Sequence, residues 1–262
     1  MKSTQVLANR FVVAACLFAI LGLQWSASAQ SRPALAEVRA IKGSPTYTTN
    51  GSGAMLLKVG AMLSSGATIK TGADSTVDLF LGFNTGVIRI GENSLLALDK
   101  LAVTDTGVDT AVEVQLNLPE GDLYFNVNKL SKASRYEIKM PNGVAGIRGT
   151  KGSFSFRPAG GLRPPVVLLE GKLVFVYAPA GGQPVSYIMS APPAVYFSVT
   201  EGVKEAPPAL LRDVERQLRE VERRAARNNP PLRPVGESLL EPPMSPGTGA
   251  PARRSLGQVP GQ

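Results

Sequence analysis

The chain has 262 residues, with 28 Lys and Arg against 20 Asp and Glu, and a formal net charge of +8 at pH 7. It has no His and a single Cys. The chain alone therefore cannot form disulfides, cysteine-rich zinc sites or iron–sulfur sites, and it lacks the commonest general base and metal ligand. Carboxylate, Ser–Lys or threonine chemistry and an oxygen-ligand metal site stay open.

Residues 1–29 have the pattern of a signal peptide. Two basic residues precede an uncharged apolar run, Phe11–Leu23, and a small-residue A-x-A site ends at Ala29. The pattern predicts cleavage between Ala29 and Gln30, export to the periplasm or the medium, and no stable membrane span after cleavage. Two alternatives remain: an uncleaved anchor, although the run is shorter than the about 20 residues of a membrane span, and a lipoprotein modified at Cys16.

Residues 34–200 consist of short apolar–polar segments separated by Gly, Asn and Asp. Alternation buries one face of a strand and leaves the other in water, which is typical of antiparallel sheets. Such segments at a spacing of about 8–12 residues predict a β-sandwich or barrel. The predicted strands cover residues 35–41, 76–81, 86–90, 95–98, 112–118, 123–127, 136–140, 153–156, 166–169, 173–177 and 195–199.

The composition changes after residue 206. Pro207-Pro208 can occupy the first turn of a helix, and apolar residues at helical spacing follow, so an amphipathic helix is predicted over 207–228. Its stripe would either dock on its own domain or pair with a partner. Residues 229–262 are rich in Pro, Gly and Ser and are predicted to be disordered. The stripe consists of Leu210, Leu211, Val214, Leu218 and Val221.

None of the motifs with catalytic potential is complete. Asp105-Thr106-Gly107 is the tripeptide of aspartic proteases, but that mechanism needs two carboxylates and the chain has one copy. Gly149-Thr150-Lys151-Gly152 lacks the spacing of a phosphate-binding loop. We predict a non-enzymatic protein without a catalytic, cofactor or metal site. The mild basic excess lacks an aromatic-interleaved face, so nucleic acid is not an expected partner.

The most distinctive run of the chain is Met140–Thr150. Asn142-Gly143 is a tight-turn signal after a predicted strand, and a small apolar stretch then leads to Arg148. Arg148 has two interpretations. Its planar fork would bind a carboxylate or phosphate of a ligand, or it would connect loops through carbonyl groups or a carboxylate such as Glu170. The structural interpretation is favoured.

Several separated pieces of the chain resemble the FecR family of bacterial periplasmic domains. Pro141–Thr150 closely resembles the family motif that has a Pro near its start and ends in R-G-T, with Arg148, Gly149 and Thr150 on its R-G-T. The order and spacing of the pieces agree with the family from residue 34 to about 178 and extend toward 200. The other pieces are Leu57–Ser75, Val87–Leu98, Leu118–Leu123 and Val167–Leu173.

The resemblance implies a jelly-roll-like antiparallel β-sandwich of the cell envelope over 34–200, with Arg148, Gly149 and Thr150 as structural or partner-binding residues. Family members that regulate iron uptake sense a TonB-dependent receptor and signal to a sigma factor through an anti-sigma segment, a membrane helix and a C-terminal domain. Here a short leader precedes the apolar run, and a helix with a Pro-rich stretch follows the sandwich. These departures predict that the chain does not signal across the membrane by itself.

The predicted function is an exported, non-enzymatic FecR-domain protein that binds another component of the cell envelope, either a protein or part of the cell wall. Binding would use surface recognition or strand addition at a sheet edge. The alternative is a periplasmic sensor that relays a signal through a separate membrane protein of the sigma/anti-sigma type. The helix over 207–228 also leaves a homo-oligomer open.

Overall fold

The computed structural model describes residues 30–49, 51–82, 85–105, 109–158 and 163–227. The predicted signal peptide with its last residue Ala29, and the predicted tail over 229–262, lie outside these described residues. Among the helical segments described, none is long and apolar enough to cross a membrane.

Sixteen strands and one helix make up the described part of the chain, and all the strands belong to one hydrogen-bonded sheet. The helix is α1 (Pro208–Arg227). The strands are β1 (Gln30–Pro33), β2 (Ala36–Lys42), β3 (Thr46–Thr48), β4 (Met55–Leu56), β5 (Met62–Leu63), β6 (Thr68–Lys70), β7 (Thr76–Phe80), β8 (Val87–Ile90), β9 (Leu95–Asp105), β10 (Thr110–Asn126), β11 (Arg135–Met140), β12 (Gly143–Phe156), β13 (Val166–Tyr177), β14 (Val185–Ala191), β15 (Val195–Ser198) and β16 (Gly202–Glu205).

The predicted all-β class, followed by one amphipathic helix, is confirmed. Each segment predicted from its alternation coincides with a strand or part of one, and none extends more than one residue beyond it, because the apolar set faces the core as the period of two requires. The pairing is antiparallel except between β10 and β11, which run parallel. The predicted, mostly antiparallel pairing is thus confirmed. The parallel pair arises because residues 127–134 return the chain to the beginning of β10. The buried set of β10 shows the alternation: Val112, Val114, Leu116 and Leu118.

Two predicted strand ends are bends inside continuous strands. We expected breaks at Pro119-Glu120-Gly121 and Glu170-Gly171, but β10 and β13 pass through both positions. Up to Glu120, β10 pairs with β9 and β11, and from Gly121 it pairs with β12 and β8. Gly121 and Gly171 have φ angles of 113° and 88°. This backbone conformation favours glycine, so the residues that suggested turns allow the strands to change partners.

Strands that are very short, or that have apolar residues on both faces, were not predicted. Strands β3 to β6 have two or three residues each, too few to show a period. In β14 the outward residue Ile188 is apolar and exposed, so its sequence does not alternate cleanly. The pattern therefore fails where a strand is very short or where its outer face is apolar.

Helix α1 docks on the outer surface of its own domain, against β2, β8, β10 and β12. Val214, Leu218 and Val221 of the predicted stripe are buried, and Leu210 and Leu211 are half-buried. Ion pairs flank this contact: Arg163 to Asp213 at 3.0 Å and Lys151 to Glu222 at 2.7 Å. Of the two alternatives for the stripe, the structure thus shows docking on its own domain. Val214 and Leu218 pack with Tyr124 and Val167.

A buried arginine connects the sheet to the helix. Arg89 on β8 is 1% exposed and donates two hydrogen bonds to Asp78 on β7, at 2.6 and 2.8 Å. Its remaining nitrogen, Nη1, donates to Glu220 at 3.0 Å and to the side chain of Gln217 at 3.2 Å. Glu220 also accepts a hydrogen bond from Arg224. Because Arg89 spans both elements, the helix completes the neutralisation of a charge cluster inside the domain.

This cluster makes helix docking sensitive to acid. Burial alone would raise the pKa of Glu220, but the hydrogen bond and charge of Arg89, together with Arg224, outweigh it and lower the pKa. The contribution of Glu220 to stability is therefore present at neutral pH. It starts to be lost near the ordinary carboxyl pKa of about 4.3 and is gone once the pH falls below the lowered folded-state value.

Glu220→Gln is expected to flatten the loss of stability between about pH 5 and pH 3, measured by urea unfolding of the full chain. The matched control is Glu215→Gln, whose carboxylate contacts Arg219 on the exposed face of the same helix. This control should follow the parent protein over the acid range. An unchanged acid dependence in Glu220→Gln would contradict the assigned role of Glu220.

Candidate binding surface

Arg148 lies in strand β12. The register between β12 and β13 shifts between Ile147 and Thr150, and Gly149 within this irregularity has a φ of 85°. A Cβ atom on Gly149 would lie 2.9 Å from the Cα atom of Lys129. Glycine is required by this close approach. The strand therefore continues through the motif and presents Arg148 on its exposed side.

Thr150 connects this motif to the chain segment that carries Lys129. Its backbone exchanges two hydrogen bonds with Val127, at 2.9 and 3.1 Å. Its side chain is 2% exposed, and within the described part of the chain its hydroxyl has no hydrogen-bond partner. Leaving a buried hydroxyl unpaired costs about 1–3 kcal/mol. The R-G-T sequence thus places Lys129 beside Arg148 through backbone contacts.

A concave groove surrounds the motif. It has a volume of about 420 Å³ and is lined by four cationic side chains and by Glu170. Lys151 pairs with Glu222 of the helix, whereas Lys129 and Lys172 make no ion pair with any described residue. We call the part of this concavity that is lined by Lys129, Arg148 and Lys172 the basic groove.

Among the residues that the structure describes, Arg148 makes one hydrogen bond. Its Nη2 donates a hydrogen bond to the backbone carbonyl oxygen of Ser131 at 3.3 Å. Of the described interactions, none is an ion pair with Glu170, although both side chains line the same groove. Arg148 is thus connected to another segment of the chain through the carbonyl group of Ser131. Most of its guanidinium group stays available for a ligand. The positive groove favours a carboxylate or phosphate, which the guanidinium can meet with two parallel hydrogen bonds.

A second depression of about 420 Å³ adjoins the groove and shares Arg148 and Lys172 with it. The strand register places Gly146 between Glu137 and Val174 on the outward face. A Cβ atom on Gly146 would meet nothing within 4 Å, so the missing side chain opens the depression. Val174 and Ile188 continue the same row and are 43% and 65% exposed. An apolar row therefore lies beside a cationic rim.

The residues that the sequence missed are Lys129, Lys172, Gly146 and Ile188. A single lysine in an alternating segment is typical of a solvent-exposed position, so the sequence did not indicate that Lys172 belongs to a binding surface. The signal for Gly146 was present in principle: once β12 is known to be a strand, the period of two puts Gly146 and Arg148 on one face. Convergence with Lys129 depends on the irregularity at Gly149, which no local pattern reveals.

The predicted aspartic tripeptide has only Asp105 among the described residues. That residue ends β9 and pairs across strands with Gln30 and Thr110. Gln30, predicted to begin the mature chain, is the first residue of β1. In the described ranges, no three Asp, Glu, His or Cys side chains are grouped closely enough to bind a metal ion.

Part of the chain matches a known protein family. Residues 67–185 match the family model described as FecR protein. The matched segment runs from the approach to β6 to the first residue of β14 and contains Lys129, Arg148, Gly149, Thr150 and Lys172. The predicted resemblance is thereby confirmed. Neither a curated protein nor a solved structure matches the chain significantly.

Proposed function

Because this chain carries a FecR domain over residues 67–185, we propose that it is a non-enzymatic binding module of the cell envelope. It binds another envelope component, a protein or part of the cell wall. The contact is the outward face of β11 to β14, and the basic groove receives an anionic group of the partner. Arg148, Gly149 and Thr150 serve as partner-binding and structural residues of this face.

One observation carries this proposal: Lys129, Arg148 and Lys172 line a groove in which Glu170 is the single carboxylate. Their like charges repel one another, and a bound anion relieves that repulsion. The neighbouring Gly146 depression and the exposed Val174 add an apolar surface. Charged rims around an apolar centre are the usual composition of a recognition surface.

A sensor role is the second candidate function. The FecR match is consistent with a regulatory component in sigma/anti-sigma signalling. In that case the same face receives a periplasmic signal, and a separate membrane protein passes it on. A transcriptional response that disappears in the Arg148→Gln strain would favour the sensor over a constitutive binding module.

Export is supported by the leader pattern of residues 1–29. Intact-mass spectrometry of the protein from the fractionated native host should find a species that begins at Gln30 in the soluble envelope fraction. A chain that keeps residues 1–29 in the inner membrane would contradict the proposed cleavage, and a lipid-modified Cys16 would make the protein a lipoprotein.

The binding proposal is tested by photo-crosslinking in the native host. A photoreactive amino acid at Ser190, which lines the groove, is expected to give a discrete crosslinked product. The double variant Arg148→Gln/Lys172→Gln should reduce its yield roughly tenfold, because it removes two of the three cations that face the anion. The control is Lys58→Gln, an exposed lysine far along the chain from the groove. Equal yields in both variants would contradict the assignment of the groove.

A further inference from the structure

Strand β14 has a long backbone edge that no other described strand covers. It hydrogen-bonds to β13 through seven consecutive residue pairs without a register shift. Its sequence, Val-Ser-Tyr-Ile-Met-Ser-Ala, contains no charged residue and no Pro. Soluble proteins usually block such edges with charges, Pro, bulges or very short strands. A regular edge without these features can form backbone hydrogen bonds with another strand.

The other sheet ends are short or protected. Strands β4 and β5 have two residues each, β16 ends in Lys204 and Glu205, and β1 ends at Pro33. The apolar stripe of α1 is buried in its own domain. Among the described elements, β14 therefore has the backbone and the apolar side chain best suited to an intermolecular contact.

The sequence of β14 is complementary to itself. In an antiparallel pair centred on Ile188, this residue faces Ile188 of the second copy, and Ser186 faces Ser190. On the inner face, Tyr187 faces Met189, and Val185 faces Ala191. Every pair matches an apolar residue with an apolar residue or a serine with a serine. A two-fold interface requires this kind of self-complementarity.

The neighbouring strands fit the same arrangement. Val174 lies beside Ile188 on β13, so the pairing creates a row of four exposed apolar side chains, two from each copy. Lys172, which lies beside Ser190, would share its row with Ser186 and Val176 of the second copy. The charges are therefore compatible, because no two lysines face each other across the two-fold axis.

We propose that two copies of this chain associate through antiparallel pairing of β14, with Ile188 on the two-fold axis, into one continuous sheet. The dimer leaves the basic groove of each copy on the outward face of that sheet. It presents two anion-binding sites related by the two-fold axis. This inference does not depend on the identity of the groove's ligand, and its test uses no ligand.

Sedimentation velocity of the exported full chain over a concentration series tests the association. The parent protein is expected to form a dimer, and Ile188→Lys should weaken dimerisation roughly tenfold or more, because two like charges then face each other on the axis. The control is Val59→Lys, an apolar position that is 60% exposed outside β14. A monomeric parent protein, or a dimer that Ile188→Lys leaves intact, would overturn the proposal.

Disulfide trapping tests the register and does not depend on dimer strength. In a Cys16→Ser background, Ile188→Cys should form an intermolecular disulfide under mild oxidation, since directly opposite residues have Cβ atoms about 4.5–5.5 Å apart. Val174→Cys, on the same face but one strand further inward, should stay reduced. Equal crosslinking at both positions, or none at Ile188, would overturn the two-fold register.

Discussion

Asp78→Asn is expected to lower the free energy of unfolding by about 3–5 kcal/mol, as is typical when one partner of a buried ion pair is removed. Asp78 is 3% exposed and accepts two hydrogen bonds from Arg89, which is itself 1% exposed. With an amide at position 78, the guanidinium stays buried with Glu220 as its remaining anionic partner. Urea unfolding followed by circular dichroism measures the loss.

A double variant separates the unpaired charge from simple loss of packing. Asp78→Leu/Arg89→Met removes both charges and keeps apolar volume, so it should recover a large part of the stability that Asp78→Asn loses. The exposed pair Glu215–Arg219 is the control, and Arg219→Gln should change stability little because solvent screens this pair. If the double variant is as unstable as Asp78→Asn, packing rather than charge explains the effect.

Gly171→Ala is expected to cost about 3 kcal/mol, or to prevent folding, because it adds both strain and a clash. Gly171 has a φ of 88° at the bend of β13. A Cβ atom there would lie 2.2 Å from the carbonyl oxygen of Gly149. The clash involves backbone atoms, so no rotamer change can relieve it. Thermal and urea unfolding measure the loss.

Two glycines provide matched controls for this substitution. Gly181 has a φ of 72° with open space around it, so Gly181→Ala reports strain alone. Gly146→Ala meets nothing within 4 Å, so it should leave stability almost unchanged while partly filling the depression beside Arg148. Equal losses in Gly171→Ala and Gly181→Ala would contradict a clash at Gly171.

The helix and the candidate surface share one structural connection. Lys151 lines the groove of Arg148 and also pairs with Glu222 of α1. Asn126, another groove residue, donates to the same carboxylate at 2.8 Å. Helix α1 is therefore an integral part of the domain, and its Glu222 neutralises one lysine of the groove, Lys151. The three remaining cations determine the charge that a ligand meets.

The sequence by itself determined the class of fold. Strands such as Val112–Leu118 and the helix from Pro208 follow from periods of 2 and 3.6, because local geometry decides which side chains share a face. The motif ending in Arg148-Gly149-Thr150 predicted the resemblance to the FecR family, since order and spacing of residues are properties of the sequence alone. The apolar stripe of α1 predicted a buried face without saying what covers it.

Only the tertiary structure decided how these pieces meet. The bends at Gly121 and Gly171, the parallel pairing of β10 with β11, and the meeting of Lys129 with Arg148 depend on contacts between residues far apart in the chain. The burial of Arg89 also depends on such contacts. In its strand this arginine has the position of an ordinary outward-facing residue, and it is buried because α1 covers it. Alternation specifies the face on which a side chain lies, but strand order and bends specify its neighbours.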